Sequence, residues 1–254
     1  MTFSGQLFFG SYDTKSTFKE SNVLTHGGLG GHGGGALNLK TRHAVVDGIV
    51  SVNGQEKAQT GTAGGGSGGS IYFSCEDLSG LGTFLANGGK GSPGGGGGAG
   101  GRIAVYYNEV HKFDGTFMAH GGDSTAEIGG AGTVYLEQRN NSVVTNRTLL
   151  INNNKLKYPL AVQKNQGSLH NLLNGVYDDV SQVGGVTWLI EYQNHSLTNV
   201  DIRGNAHVAV LWKTSKGDIE LRAEFLTGNN FDLLSLFVIV RLYCRLINWH
   251  LLSL

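Results

Sequence analysis

The sequence is poor in proline, cysteine and methionine, with two residues of each. The two cysteines, Cys75 and Cys244, cannot form a disulfide framework and do not make a CxxC metal pair, so we interpret both as small buried hydrophobic residues. Net charge is also missing, because 19 basic residues balance 19 acidic ones. No overall field draws the chain toward nucleic acid or an anionic membrane, and nucleic-acid binding is therefore not expected.

Motifs for catalysis and for cofactors are lacking as well. The nine histidines form no HxH or HExxH pattern and indicate no metal site. A GxGxxG match at residues 28–33 precedes a β-rich repeat instead of a helix, and residues 89–92 do not have the spacing of a phosphate-binding loop. The glycine clusters carry no Asp at the place that calcium-binding nonapeptide repeats require. The sequence predicts no catalytic residue, no cofactor and no metal.

Acidic side chains are present, but their spacing places no pair at a defined distance, as a glycosidase would require. We interpret them as solvated turn charges and keep a polysaccharide-active β-helix enzyme of the pectin-lyase type as the alternative. The charged candidates are Asp47, Glu76, Asp77, Asp114, Asp123 and Glu127, with His43, Arg102 and Lys112 as basic groups. Aromatic residues that could line a carbohydrate-binding face, although strand aromatics more often pack in cores, are Tyr106, Tyr107, Trp188, Tyr192 and Trp212.

Glycine is abundant, and its distribution is regular. Of the 42 glycines, 33 lie between residues 27 and 132. Four short apolar segments begin at Gly35, Gly69, Gly101 and Gly132, in steps of 34, 32 and 31 residues. A second set of apolar segments begins at Gly48, Gly82, Gly115 and Arg147, in steps of 34, 33 and 32 residues. Two independent alignments with one period indicate a structural repeat.

Each apolar segment has four or five residues with alternating side chains, which is typical of a strand with one buried face. No ten-residue helical pattern separates the strands, and stacking equivalent strands in parallel would bury their apolar faces. We therefore predict an all-β fold, a right-handed parallel β-helix (solenoid) with glycine-rich turns. The predicted inward stacks are Leu37/Ile71/Ile103/Val134, Leu39/Phe73/Val105/Leu136, Val50/Phe84/Phe117/Leu149 and Val52/Ala86/Ala119/Ile151.

A recurrent Asn ends the second strand of most units, at Asn53, Asn87 and Asn152, and His120 takes this place in the third unit. Asn suits a corner because it tolerates left-handed backbone and its side chain bonds to local backbone. In stacked units these residues would form an internal ladder. We expect a structural role for His120 instead of a ligand role.

These motifs resemble known repeats. Gly34-Gly35-Ala36-Leu37 and Phe84-Leu85-Ala86-Asn87 resemble the GGA[ILV] and FxxN motifs of polymorphic outer-membrane adhesins of the autotransporter type. They are also similar to glycine-rich repeats of large animal extracellular proteins. The resemblance covers residues 27–153 and implies a β-helix at the cell surface or outside the cell, used for adhesion or matrix contact. This chain has more glycine than those repeats, and a C-terminal pattern of membrane-barrel strands is lacking.

The composition divides the chain into four parts. Residues 1–26 are a lead-in or cap, 27–153 the glycine-rich β-helix repeats, and 154–230 less regular coils with a loop or short helix at 163–182. The apolar tail 231–254 contains Arg241 and Arg245 and fits an amphipathic helix better than a membrane span. It would cap the last coil, contact a membrane surface, or be an incorrectly translated end of a longer protein.

We expect a non-enzymatic structural or adhesion protein, a fragment of a larger repeat protein, that is extracellular or at the cell surface. The expected partners are glycans or matrix and cell-surface proteins. The first residues lack the basic and apolar regions of a signal peptide, so a leader would have to lie upstream. The alternative function is the polysaccharide-active enzyme, or a glycan-binding module.

Overall fold

The structure is a computed structural model that describes residues 2–3, 6–8, 30–57, 62–140, 142–157, 185–190, 195–211, 213–214, 217–218, 221–229 and 232–236. These residues contain twenty strands and no helix, so the predicted all-β class is confirmed. The strands are β1 (Thr2–Phe3), β2 (Gln6–Phe8), β3 (Ala36–Lys40), β4 (His43–Val46), β5 (Ile49–Ser51), β6 (Ser70–Ser74), β7 (Asp77–Gly80), β8 (Thr83–Leu85), β9 (Arg102–Tyr107), β10 (Glu109–Phe113), β11 (Thr116–Met118), β12 (Thr133–Asn140), β13 (Val143–Asn152), β14 (Val186–Ile190), β15 (His195–Arg203), β16 (His207–Leu211), β17 (Lys213–Thr214), β18 (Gly217–Asp218), β19 (Leu221–Asn229) and β20 (Asp232–Leu236).

Up to β12, strands that are three apart in the chain lie side by side. A seven-stranded sheet, called the long sheet here, has the order β19-β15-β13-β12-β9-β6-β3. The second sheet has the order β1-β4-β7-β10, and the third sheet has the order β11-β8-β5-β2. All pairings from β1 to β12 are parallel. The chain therefore visits the long, second and third sheets in turn, once per repeat.

The register of the long sheet is the one that the repeat alignment predicts. Leu37, Ile71, Ile103 and Val134 are successive partners, and so are Leu39, Phe73, Val105 and Leu136. In the third sheet Val50, Phe84 and Phe117 are partners. Together these rows form the first core, in which the rings of Phe73, Phe113 and Phe117 surround the fully buried Phe84.

The fourth unit departs from the prediction. Its second segment does not continue the third sheet; it forms β13, which pairs antiparallel with β12 in the long sheet. Leu149 and Ile151 therefore lie beside Val200 and Ile202, and their assignment to the third-sheet stacks was wrong. The reason is local: this unit has no glycine corner between its two segments, and a tight turn with Ser142 at φ 68° reverses the chain.

The hairpin of β12 and β13 also changes the buried face of the long sheet. Val134 and Leu150 face the first core, whereas Tyr135 and Leu149 face a second core on the opposite side. From β13 onward the strands β13, β15 and β19 pair in parallel, and a fourth sheet, β14-β16-β20, is also parallel. The long sheet is thus mixed, and the faces of its two halves are buried on opposite sides.

The glycine-rich segments pack as a hydrogen-bonded bundle. We call it the glycine bundle: residues 30–35, 53–55, 64–69, 87–91, 95–101, 119–122 and 129–132. The N–H groups of Gly65 and Gly68 donate to carbonyls of the next repeat, in residues 95–101. Those of Gly66 and Gly69 donate to the carbonyls of Gln55 and Val52. The same three-residue spacing recurs at Gly97 and Gly100, at Gly98 and Gly101, and at Gly129 and Gly132. Three residues per turn is the period of a polyproline II helix, so these segments satisfy their backbone groups without forming β-sheet.

Several sequence expectations concern the ends of the chain. Within residues 1–26, β1 is the edge strand of the second sheet and β2 is the edge strand of the third sheet. The segment 163–182 lies outside the described residues. The helix expected over 231–254 does not include Asp232–Leu236, which form β20 and pair with β16, and residues 237–254 lie outside the described residues.

Candidate functional site

Two of the asparagines predicted at the strand ends, Asn53 and Asn87, form a hydrogen-bonded ladder with His120. Asn87 N–H donates to Asn53 Oδ1 over 2.7 Å, and His120 N–H donates to Asn87 Oδ1 over 3.1 Å. Asn153, not the predicted Asn152, continues the ladder, since its Oδ1 accepts from Gly121 N–H. The ring of His120 also bonds locally, with Nδ1 donating to the Gly121 carbonyl over 2.7 Å. The ladder fixes the backbone at the corners, which is a structural role.

The predicted repeat glycines, Gly35, Gly69, Gly101 and Gly132, lie in one column where the glycine bundle meets the long sheet. A Cβ on Gly69 would lie 1.9 Å from the Gly35 carbonyl oxygen, and one on Gly132 would lie 1.9 Å from that of Gly101. Real Cβ atoms do not approach this closely, so at these glycines the backbone of each repeat packs directly on that of the preceding repeat. The column is scaffold.

The acidic candidates do not form a common site in the part of the chain that the structure describes. Glu76 lies 4.0 Å from Arg42, and Asp77 lies 2.6 Å from His43 Nδ1, in two neighbouring pairs whose side chains are all more than half exposed. Exposed pairs contribute about 0–1 kcal/mol and do not shield a reacting bond from water. Asp47 Oδ1 accepts from Leu81 N–H, and Asp123 Oδ1 accepts from Ser124 N–H. These contacts are those of turn carboxylates.

A row of tyrosines crosses the outer face of the long sheet. The ring centroids of Tyr72 and Tyr106 are 5.1 Å apart, and those of Tyr106 and Tyr135 are 5.8 Å apart. Lys40 Nζ lies 5.8 Å from the Tyr72 centroid, and the Arg139 guanidinium lies 5.5 Å from that of Tyr106. We call this the tyrosine face; with the five residues just named it includes Arg102, Glu137 and Arg147. Alternation brings these side chains together, because they lie opposite to the inward rows of β6, β9 and β12.

Glu137 is the charged centre of the tyrosine face. Its side chain is 7% exposed, and its Oε1 accepts from Arg139 Nε over 2.6 Å. Its Oε2 accepts from Tyr135 OH over 2.6 Å and from Arg147 Nε over 3.3 Å. Arg147 reaches it because Glu137 and Arg147 are cross-strand partners in the hairpin. A buried carboxylate with this many donors is stable in its ionised form.

The ionisation of this cluster follows from its contacts. Burial opposes the charge on Glu137, but the hydrogen bonds from Tyr135, Arg139 and Arg147 outweigh it and hold its pKa below the ordinary value. Burial, followed by the hydrogen bond to Glu137, raises the pKa of Tyr135. Tyr106 has a raised pKa for a related reason, since burial and then the neighbouring Tyr72 oppose its ionisation. Tyr106 and Tyr135 therefore remain neutral, and Tyr135 donates its hydrogen bond to a charged carboxylate.

We predict that Glu137→Gln lowers the free energy of unfolding by about 1–2 kcal/mol at pH 7, because charge-assisted hydrogen bonds to half-exposed arginines are replaced by neutral ones. The lowered pKa stabilises the folded state fully above the ordinary glutamate pKa of about 4.3, and this contribution is lost as the pH falls through the lower folded-state pKa. Denaturant unfolding at pH 7 and near pH 3 should show a smaller pH effect in the variant. Glu76→Gln, at an exposed pair, is the matched control. An unchanged pH effect in Glu137→Gln would contradict the assignment.

The sequence identified the tyrosine face only in part. Tyr106 lies in it, whereas Tyr107 packs against the first core. Trp188 lies in β14, and Tyr192 and Trp212 lie outside the described residues. Tyr72 and Tyr135 were missed, although the alignment already placed both one residue after an inward residue of the same stack.

Cys75 is buried as predicted, and burial raises the pKa of its thiol to about 12, so it is unreactive. Cys244 lies outside the described residues.

The remaining observations on the described residues concern metals, membranes and relatives. No cluster of three or more His, Cys, Asp or Glu side chains there is arranged to hold a metal ion. Among those same residues, no helix has the length and apolar character that crossing a membrane requires. Comparison with known proteins finds no matching family model, no matching curated protein and no matching solved structure.

Proposed function

We propose that the chain is a non-enzymatic structural or adhesion protein, extracellular or at the cell surface, built as a right-handed parallel β-helix. The observation that carries the proposal is the repeated order of parallel strands: β3, β4 and β5 are followed by β6, β7 and β8, and then by β9, β10 and β11, each beside its counterpart. Such coils stack into an elongated body whose outward side chains recur along one axis. That surface suits contact with extended partners.

The mixed long sheet is compatible with a solenoid that has the same handedness along its whole length. At the hairpin of β12 and β13 the strands reverse direction, and the buried face changes from the first core to the second. Reversing both together leaves the hand of the coil unchanged. Parallel crossover connections are almost always right-handed, which supports a right-handed coil in both halves.

The alternative enzyme would need carboxylates that converge with a basic group in a sheltered groove. The exposed Arg42–Glu76 and His43–Asp77 pairs do not favour this. The tyrosine face instead favours the second alternative, a glycan-binding module, which is compatible with adhesion.

The proposed function predicts where the protein is found and what it does not do. An antibody to the full chain should stain unpermeabilised cells of the source or their matrix, and the immobilised full chain should retain matrix material. Incubation with polygalacturonate should release no new reducing or unsaturated ends. Staining that requires permeabilisation would contradict the surface role. Released ends would instead support the enzyme.

A further inference from the structure

We infer that the tyrosine face binds a linear acidic glycan, a polysaccharide chain that carries carboxylate or sulfate groups. This inference rests on the proposed function and names the class of partner for one surface. The second core covers the same side of the long sheet from β13 onward, and no described element covers the tyrosine face, which has Tyr135 at its border.

The aromatic side chains provide the apolar contact. Tyr72 is a large apolar residue that is 38% exposed, and Tyr106 and Tyr135 continue from it across neighbouring strands. Tyrosine combines an apolar ring with a polar hydroxyl and loses little conformational freedom on binding. Sugar rings present CH groups on their faces and hydroxyls at their edges, so a row of tyrosines matches both.

The charges select the kind of glycan. Four cations, Lys40, Arg102, Arg139 and Arg147, belong to this face, and Glu137 is its one acid on β3, β6, β9 and β12. Four positive charges and one negative charge leave a net charge of +3. Because Glu137 is buried among its own donors, it does not repel an approaching anion at the surface. Because Arg139 and Arg147 are already paired with Glu137, the acidic groups of a glycan would pair chiefly with Lys40 and Arg102, and a neutral polysaccharide has no such groups.

The size of the tyrosine face indicates that its ligand is a chain of several sugars and not a single sugar. Lys40 on β3 and Arg139 on β12 are separated by three strand spacings, about 14 Å at about 4.8 Å per spacing. A monosaccharide cannot reach both. Affinity should therefore increase with the length of an acidic oligosaccharide until the face is filled.

Single-stranded nucleic acid also combines negative charge with stacking, but the face fits it less well. Bases need open aromatic faces between which or onto which they stack. Here the ring of Tyr106 is tilted by 33° to that of Tyr72 and by 58° to that of Tyr135, so the three rings do not form the parallel platforms on which successive bases stack.

Binding of the full chain to immobilised heparin and to polygalacturonate tests the inference, with dextran as the neutral probe and poly(U) as the nucleic-acid probe. We expect binding to at least one acidic glycan and not to dextran, and weaker binding as salt rises from about 0.05 M to about 0.5 M. The double variant Lys40→Gln/Arg102→Gln, at two exposed positions, should weaken binding about tenfold or more, on the order of one charge-assisted contact. Tyr72→Ser should weaken it about fivefold.

Lys90→Gln/Lys157→Gln removes two exposed cations from other surfaces and is the matched control. Absence of binding to both acidic glycans, equal losses in the control, or tighter binding to poly(U) would each overturn the inference. The two proposals fail separately. Matrix retention that survives Lys40→Gln/Arg102→Gln would remove this site and leave the adhesion role. Glycan binding by a chain found only inside cells would retain the site and remove that role.

Discussion

Gly98→Ala should lower the free energy of unfolding by about 3 kcal/mol or more, the upper end of the effect of overpacking. A Cβ on Gly98 would lie 1.9 Å from the Gly66 carbonyl oxygen and 2.5 Å from its carbon. Gly98 N–H also donates to the Gly89 carbonyl, and its own carbonyl accepts from Gly122 N–H. Because all of these neighbours are backbone, no side chain can move aside to make room. Denaturant unfolding followed by circular dichroism measures the loss.

Gly96→Ala is the matched control in the same run of glycines. Gly96 is exposed, and the nearest atom to an added Cβ is the Glu127 carbonyl oxygen at 3.7 Å, an ordinary contact. This variant should be neutral or more stable by about 0.4–1 kcal/mol, because alanine restricts the unfolded chain. Equal losses in the two variants would show that the glycine bundle is not packed through backbone contacts.

Asn153→Leu should lower the free energy of unfolding by about 2–5 kcal/mol. Asn153 is fully buried; its Oδ1 accepts from Gly121 N–H over 2.9 Å, and its Nδ2 donates to the Gly129 carbonyl over 3.2 Å. Leucine has a similar size but would leave both backbone groups unpaired, and each such buried group costs about 1–3 kcal/mol. Thermal and denaturant unfolding of the full chain would show the effect.

Asn152→Leu is the comparison variant, because the sequence predicted Asn152 for the ladder and the structure places Asn153 there. Asn152 Oδ1 accepts a local hydrogen bond from Asn154 N–H at an exposed turn, so its loss should cost about 1 kcal/mol or less. A larger loss at Asn152 than at Asn153 would mean that the ladder of Asn53, Asn87 and His120 ends one residue earlier than the structure places it.

Much of the fold from β3 to β12 could be predicted because each repeat contains two recognisable apolar segments with the same period. Gly69 and Gly101 mark the start of a strand, and alternation after them sends Ile71 and Ile103 inward. Period and alternation together determine the register, since a slip of one residue would expose every inward side chain. The all-β class followed from the same pattern.

The rest depends on geometry that the pattern does not contain. The apolar run of β13 resembles the second strand of earlier units, but a turn at Ser142 sends it back along β12, and long-range pairing then decides its sheet. Neither the glycine contacts across coils nor the meeting of Glu137 with Arg147 could be deduced, because both join segments whose relative position depends on the turns. Of the tyrosine face, only Tyr106 and Arg102 were named from the sequence, because its other members looked like ordinary strand residues.

If the proposed β-helix is correct, the glycine bundle would let the protein lengthen by whole repeats. Successive repeats pack on one another through the same backbone contacts, at Gly35, Gly69, Gly101 and Gly132. Duplication of one whole repeat would therefore meet the surfaces it needs on both sides, while insertion of part of a repeat would not. Growth by complete repeats would move the hairpin of β12 and β13 along the axis and leave both cores intact. It would also widen the outer face of the long sheet by one strand at a time, so a single duplication could change the reach of that face without any new fold.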